Sequence, residues 1–205
     1  MVLGPPLHEL EERLFDLNGL VALVPRWIED YRNEKLGGFE GRWGTADFER
    51  TILEAALVFA WEAFSGYLHE ELLSRANFAF VDLPPYYQAL ADNEASEAGR
   101  TFDQLRKRYV WAGLPLTDID GWDCVEQIRR HRNAIVHNEG KYTRAYVDGK
   151  CARFPDPNAF GLDDRVALIG SERIPLTRAT VAEDIKRLKG FANLVSEDDF
   201  DGIDP

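Results

Sequence analysis

Residues 122–137, WDCVEQIRRHRNAIVH, decide the fold of this chain, because they form one amphipathic helical pattern that places an arginine among apolar residues. Projected at 3.6 residues per turn, six residues of the segment occupy one arc, and Arg132 lies in its middle. The six are Trp122, Cys124, Val125, Ile128, Ile135 and Val136. A buried charge that loses its partner costs roughly 3–5 kcal/mol, so an apolar side chain would ordinarily stand there. The sequence therefore predicts a specific partner for Arg132.

The same helix is predicted to end just after His137. Asn138 and Gly140 tolerate the left-handed backbone of a helix C-terminus, which places His137 in the last turn. Asn133 precedes His137 by four residues, so the two side chains share one edge of the helix and can touch. Arg132 and His137 point about 140° apart, so the arginine must reach the histidine by its length. Because histidine exchanges protons near neutral pH, His137 is a candidate acid or base.

Arg132 and His137, separated by four residues at a helix end, with Asn133 directly after the arginine, resemble the signature of the HEPN superfamily. The resemblance covers residues 7–140 in architecture and residues 132–137 in motif. It implies an up-and-down α-helical bundle that is commonly dimeric. Many members of the family are metal-independent endoribonucleases in toxin–antitoxin, antiviral defence or RNA-processing systems, and others have lost catalysis and only bind. A homodimer with its active cleft between protomers is therefore expected.

Hydrophobic spacing predicts a mainly α-helical chain that forms a single domain, residues 1–205. The first helix is kinked at Pro25 and carries a stripe made of Leu10, Leu14, Leu17, Val21, Val24, Ile28 and Tyr31. The second spans residue 47 to about residue 75 and is apolar enough between Ile52 and Phe64 to be buried on most sides. A third covers residues 94–111. The bundle core is predicted to comprise residues 7–140.

After the bundle core, the pattern predicts a small β-hairpin region at residues 141–176. Short β-prone runs at 145–147 and 151–154 flank a turn signal, Asp148-Gly149, and runs at 165–169 and 173–176 flank Gly170-Ser171. A C-terminal helix at 177–196 follows, with an acidic tail at 197–205. Thr180 and Glu183 are expected to open this helix as a capping box. Its buried stripe is Val181, Ile185, Leu188, Ala192 and Val195.

Two acidic positions bear on the motif helix. Glu62 lies among apolar residues of the second helix, so it is a candidate partner for Arg132, and the alternative is that it reaches solvent along the helix edge. Asp118 or Asp120 is expected to cap the N-terminus of the motif helix.

The charge balance is strongly acidic, with a net charge of −12 and a pI of about 4.8. This argues against a general nucleic-acid coat, because such proteins neutralise phosphates with lysine and arginine. Basic residues nevertheless crowd the motif, and Arg129, Arg130 and Lys141 are predicted to contact RNA in a local basic cleft. His131 projects about 120° away from His137, so it is interpreted as a surface residue.

The remaining composition indicates an ordinary globular protein, with 205 residues, 45% hydrophobic and 29% charged. No run of 18 apolar residues and no signal-peptide pattern is present, which predicts a cytoplasmic protein without membrane association. Cys124 and Cys151 are the only cysteines. They are interpreted as reduced packing residues rather than as a disulfide or a metal site.

RNA brings its own nucleophile, the 2′-hydroxyl beside the scissile phosphate, so its cleavage requires neither metal nor cofactor. In this hypothesis His137 transfers the proton, Arg132 stabilises charge on the nonbridging oxygens, and Asn133 orients the imidazole or touches the phosphate. The expected products are a 2′,3′-cyclic phosphate and a 5′-hydroxyl. In-line cleavage benefits from two proton-transfer groups, which favours two facing copies of His137 in a dimer.

Two other functions stay open. A noncatalytic HEPN-like binding module could use Arg132 and His137 to hold the bundle or dimer together, and an enzyme acting on a small nucleotide could use the same cleft. HEPN toxins paired with nucleotidyltransferase antitoxins often carry a tyrosine two residues after the histidine, where this chain has Glu139. The chain departs from that regulatory pattern, while an antitoxin protein of another kind stays open as a partner.

Overall fold

The computed structural model describes residues 6–33, 45–78, 101–111, 113–155 and 161–197. Within these ranges the chain is mainly α-helical and contains no β-strand. The helices are α1 (Pro6–Asn33), α2 (Thr45–Phe78), α3 (Phe102–Trp111), a short 3-10 helix (Leu116–Asp118), α4 (Trp122–Asn138), α5 (Arg144–Val147), α6 (Leu162–Ala167) and α7 (Arg178–Glu197). Residues 94–100 of the predicted third helix lie outside the described residues.

Helix α2 lies at the centre of the molecule and contacts α1, α3, α4 and α7. Helix α1 continues through Pro25 and runs antiparallel to α2, since its start, near Leu10, lies beside Tyr67 in the second half of α2. Helix α7 runs parallel to α2, with Arg178 3.5 Å from Glu49 near one end. The stripe predicted on α7 belongs to this core, as do Leu10, Leu14 and Val21 of the stripe predicted on α1. Val24 and Val181 are fully buried, and the side chain of Tyr31 lies outside the described residues.

Part of α2, Ala46–Ser74, is long and apolar enough to cross a membrane by length and composition, with a mean hydropathy of 1.2. The core helix of a soluble protein passes the same test. Here Leu57, Ala60 and Phe64 of this segment are fully buried against neighbouring helices.

Helix α4 is shared by two hydrophobic clusters. On one side Trp122, Val125 and Ile128 belong to the main core with α2 and α7. On the other side Ala134 packs in a second cluster with Tyr142, Tyr146, Val147, Leu168 and Ile174. Apart from Ala134, the residues of this second cluster lie in segments 139–155 and 161–176, which we call the post-motif lobe. The lobe therefore covers a face of α4 that a single apolar arc would leave in solvent.

The predicted β-hairpins are wrong in the described residues. The run at 145–147 lies in α5, because the Thr143 hydroxyl accepts a hydrogen bond from the Tyr146 amide and caps the turn as a helix. Asp148 has φ −78°, whereas the tight hairpin turn needs positive φ there. The run at 165–169 overlaps α6 and the turn after it. An isolated antiparallel bridge joins Lys141 to Arg173.

Two predicted helix caps differ from the structure. Helix α7 starts at Arg178, one residue from the predicted start, but its capping pair is Thr177 and Thr180 instead of Thr180 and Glu183, and each hydroxyl accepts from the other's amide at 3.2 and 2.8 Å. Helix α4 has Gly121 as its N-cap, with φ 86° and no side-chain cap, so neither Asp118 nor Asp120 caps it. The left-handed turn at Gly121 replaces the side-chain cap as the means of starting the helix.

Candidate functional site

The C-terminal end of α4 is a left-handed stop that fixes the position of the motif. His137 lies in the last turn, as predicted. Asn138 is still helical, and the left-handed residues are Glu139 (φ 54°) and Gly140 (φ 71°), so the stop lies one residue later than Asn138 suggested. The Gly140 amide donates to Ala134 O at 2.9 Å, which closes the helix end.

Two paired residues of α2, Arg50 and Glu54, lie against this helix end. Arg50 Nε lies 2.7 Å from Glu54 Oε1, and Arg50 Nη2 donates to Ile174 O at 3.3 Å. A Cβ on Gly140 would lie 2.8 Å from Arg50 Nη2 and 2.9 Å from Glu54 Oε1. The backbone conformation at position 140 therefore favours glycine, and a Cβ there would force the ends of the Arg50 and Glu54 side chains to shift.

Arg132 pairs with Glu62, which is the partner that the sequence suggested. Arg132 Nε donates to Glu62 Oε1 at 3.1 Å, Nη2 donates to the same oxygen, and Nη1 donates to Asn133 Oδ1 at 3.1 Å. The pair lies at the edge of the α2–α4 contact, because the side chains of Arg132 and Glu62 are 23% and 52% exposed. The expectation of a deeply buried guanidinium is wrong, and an exposed pair of this kind contributes about 0–1 kcal/mol to stability.

His137 is exposed, and no described residue is recorded within hydrogen-bond or ion-pair distance of its ring. Asn133, expected to orient the imidazole, accepts from Arg132 instead. The structure thus brings Glu62, Arg132 and Asn133 into one hydrogen-bonded group and leaves His137 accessible one turn further along α4.

Two large apolar side chains lie exposed near this group. Phe59 is 61% exposed and precedes Glu62 by three residues on the outer face of α2. Val136 is 47% exposed and follows Arg132 by four residues on α4. Residues at these spacings share a helix face, so both side chains border the Arg132/Glu62 pair.

The three residues predicted to contact RNA are all engaged with carboxylates. Arg129 donates to both oxygens of Glu126 at 2.8 Å, and Arg130 donates to Glu126 at 3.2 Å and to Ala145 O at 2.8 Å. Lys141 Nζ lies 2.9 Å from Glu139. These three positive charges near the motif are therefore already paired with carboxylates.

Glu126 binds both arginines as a carboxylate. Burial raises its pKa, but the hydrogen bonds and charges of Arg129 and Arg130 outweigh burial and lower the pKa overall.

Arg130 also shares the exposed stripe of α4 with His137, since the two are seven residues apart. Arg129 instead reaches Phe102 on α3, with its guanidinium 5.7 Å from the ring centre.

His131 is buried at 1% exposure, so its interpretation as a surface residue is wrong. Its ring packs edge-on against Tyr146 of the post-motif lobe at 5.5 Å between centres. Burial, with the charges of Arg153 and Arg50 adding to it, lowers the pKa of His131 from 6.5 to about 3. His131 is therefore a neutral imidazole in the folded protein at physiological pH.

Cys124 and Cys151 form a disulfide, with their Cα atoms 5.3 Å apart, so their interpretation as reduced residues is wrong. The bond links the first turn of α4 to the segment after α5. The two cysteines are 27 residues apart in sequence and come together because the lobe folds back on α4. Their spacing in the sequence could not indicate this contact.

Sequence reasoning also missed a buried ion pair between Arg153 and Asp184. Asp184 lies in α7 at 0% exposure, and its two oxygens accept from the two terminal nitrogens of Arg153, one of them at 2.8 Å. Burial raises the pKa of Asp184, opposed by the hydrogen bonds and charge of Arg153. The available signal was an aspartate between Val181 and Ile185 in the apolar stripe of α7.

Comparisons with known proteins leave the site to be interpreted on its own geometry, because no protein-family model, no curated protein and no solved structure matches this chain. In the described part of the chain, no group of three or more histidine, cysteine, aspartate or glutamate side chains is placed to hold a metal ion.

Proposed function

We propose that this protein is a metal-independent endoribonuclease of the HEPN type, acting as a toxin or antiviral defence effector. The observation that supports it best is the arrangement at the end of α4. There Arg132 is oriented by Glu62 and Asn133, one turn from an exposed His137. An oriented cation and an accessible proton-transfer group at the same helix end are what cleavage through the 2′-hydroxyl requires of a protein.

In the proposed mechanism His137 removes the 2′-hydroxyl proton or protonates the leaving 5′-oxygen. Arg132 stabilises the negative charge that develops on the nonbridging phosphate oxygens. Three of its five N–H donors bind Glu62 and Asn133, which leaves two for a phosphate oxygen. Asn133 and Glu62 act through Arg132 by holding its guanidinium in one orientation.

The paired charges around the motif set the kind of RNA contact to expect. A phosphate that binds Arg129, Arg130 or Lys141 must compete with Glu126 or Glu139. Each competition reduces the gain from neutralising a phosphate, so tight nonspecific binding to long RNA is not expected. A short single-stranded target that engages chiefly the motif fits this charge pattern better.

We propose further that the active form is a homodimer joined beside the motif. Phe59 and Val136 are exposed on both sides of the Arg132/Glu62 pair, and exposed large apolar residues in this setting favour a protein contact. A two-fold axis there would bring a second His137 toward the same phosphate and supply the second proton-transfer group. Phe59→Glu should lower the dimer fraction in analytical ultracentrifugation, whereas Phe15→Glu, on the exposed side of α1, should not.

The noncatalytic binding module is the second candidate, and one observation favours it. Three donors of Arg132 are committed to protein acceptors, so the arginine also serves to join α2 to α4. An enzyme that acts on a small nucleotide remains the third, since paired cations suffice for a single phosphate group.

Incubation of total RNA with purified protein in EDTA separates these functions. Wild type should cleave and leave 2′,3′-cyclic phosphate ends, and His137→Ala and Arg132→Ala should each reduce the rate by about 100-fold or more. His8→Ala and Arg13→Ala, which alter exposed residues of α1, are the matched controls and should retain activity. Circular dichroism melts of all four variants must match wild type. Absence of EDTA-resistant cleavage across several RNAs would favour the binding module.

A further inference from the structure

Residues 148–155 form a cover segment over the middle of α4. The segment follows α5 and has no regular secondary structure. Its backbone at Gly149 lies directly on the side chain of Gln127, such that a Cβ at this position would collide with Gln127 Oε1. Tyr146, immediately before the segment, closes over the His131 ring. The cover segment therefore separates these two polar side chains from solvent.

The polar atoms under the cover segment lack protein partners among the described residues. They are Gln127 Oε1 and both ring nitrogens of His131. A cavity of about 10 Å³ beside them is bordered by Cys124 and Cys151, and it has room for about one water molecule. Burying polar groups without a full set of hydrogen bonds opposes closure, so hydration of these groups favours an open cover segment.

The cover segment has noncovalent contacts with α4, with α7 and, through Arg153 O and the Phe154 ring, with Tyr142 of the lobe. Lys150 Nζ lies 2.7 Å from Asp123 Oδ2, but both side chains are exposed, so the pair stabilises closure weakly. Arg153 binds Asp184 of α7, and its amide donates to the Tyr146 hydroxyl at 3.1 Å. The disulfide is the covalent contact that holds the segment to α4 itself.

The disulfide is placed for exchange with thiols. Both cysteines are partly exposed. Cys124 lies in the first turn of α4, with its amide bonded to Gly121 O, where the partial positive charge of a helix N-terminus stabilises a thiolate. A stabilised thiolate is the better leaving group, which directs an attacking thiol to Cys151 Sγ.

We propose that Cys124 and Cys151 form a reversible redox site for low-molecular-weight thiols, and that reduction releases the cover segment from α4. A thiolate RS⁻ attacks Cys151 Sγ, breaks the S–S bond and leaves Cys124 as the thiolate. A second RS⁻ attacks the outer sulfur of the mixed disulfide, releasing RSSR and the Cys151 thiolate. Two RSH are oxidised to RSSR, and their two protons end on the two cysteines. The site extends beyond the proposed RNA cleavage and does not depend on it.

Amide hydrogen exchange followed by NMR in the full-length protein tests this site. In glutathione buffer poised to reduce the bond, the amides of Ala152 and Arg153 should exchange at least about tenfold faster than in the oxidised protein. Amides in the middle of α1, which open only when the whole protein unfolds, should stay slower than these two in the reduced protein. Cys151→Ser should give the fast rate in either buffer. Lys150→Ala, which removes only the exposed ion pair, should keep the slow rate when oxidised.

Three outcomes would overturn the proposal. The first is exchange at Ala152 and Arg153 that changes by less than about twofold on reduction. The second is a mass spectrum of the oxidised protein that shows two free thiols. The third is a reduced protein in which Ala152 and Arg153 exchange as slowly as the middle of α1, since the cover segment would then open only when the whole protein unfolds.

Discussion

The buried imidazole of His131 should make the stability of this protein depend steeply on pH. Its pKa is about 3 in the folded state, against 6.5 for an ordinary histidine, because burial removes water from the ring and Arg153 and Arg50 repel a proton. Unfolding exposes the ring, which then binds a proton below pH 6.5. A depressed folded-state pKa contributes stability that is fully present above the unfolded pKa and is lost as the pH falls toward the folded pKa. The relevant window therefore runs from pH 6.5 down to about pH 3.

The magnitude follows from the two pKa values. Each pH unit within the window removes about 1.4 kcal/mol from the free energy of unfolding, so lowering the pH from about 7.5 to about 4.5 should remove about 3 kcal/mol through His131. Because the ring is 1% exposed, solvent screening does not reduce this figure appreciably. A loss of this size is a substantial part of the stability of a typical domain.

Urea unfolding at the two pH values, followed by circular dichroism with the disulfide intact, measures the loss. His131→Phe keeps an aromatic ring against Tyr146 and cannot bind a proton, so the variant should lose about 3 kcal/mol less than wild type over this interval. His8→Phe, at an exposed position of α1, should lose as much as wild type. If His131→Phe and wild type lose the same amount within about 1 kcal/mol, the imidazole is not buried as described.

Three further results are expected from urea unfolding and RNA cleavage. Gly140→Ala should lower the free energy of unfolding by about 1–3 kcal/mol, because the new side chain adds a collision at the helix end to an unfavourable positive φ. Gly170→Ala, which also has a positive φ but lies in open space, should cost only about 1 kcal/mol. Equal losses in the two variants would contradict the collision. Cys124→Ser should cost about 3.6 kcal/mol from loop-closure entropy across 27 residues, and a loss below about 1 kcal/mol would mean that the bond does not restrict the unfolded chain. Glu62→Gln should change stability by less than about 1 kcal/mol, since the pair is exposed, yet slow RNA cleavage by loosening Arg132; unchanged cleavage would remove its positioning role.

The sequence predicted the elements whose apolar residues repeat at helical spacing. The stripe of α7 and most of the described stripe of α1 are buried as expected, and the apolar run of α2 is buried except on the face that carries Phe59, because burial of one helix face is a local property of the sequence. The contact between Arg132 and Glu62 could also be predicted from the sequence, since a charge inside an apolar pattern requires an opposite charge nearby.

The structure of the post-motif lobe could not be predicted from the sequence in the same way. Short β-prone runs became α5 and α6 because the caps at Thr143 and Asp164 and the packing of Tyr146 decide their conformation, and β-propensity depends strongly on such context. A helical wheel of α4 assigns one buried face, so it could not show that the lobe buries Gln127 and His131 on another.

The sharing of α4 by two clusters has a consequence for where this protein can be cut. Residues 7–140 resemble a complete bundle in sequence, yet a chain ending there would expose Ala134 and His131 and would leave the main core without the stripe of α7. The helix that carries the motif is thus packed between two parts of a larger domain and is not the outer helix of a small bundle. The motif therefore needs the chain from α1 to α7 in order to fold, and it could be transferred to another protein only together with that whole length.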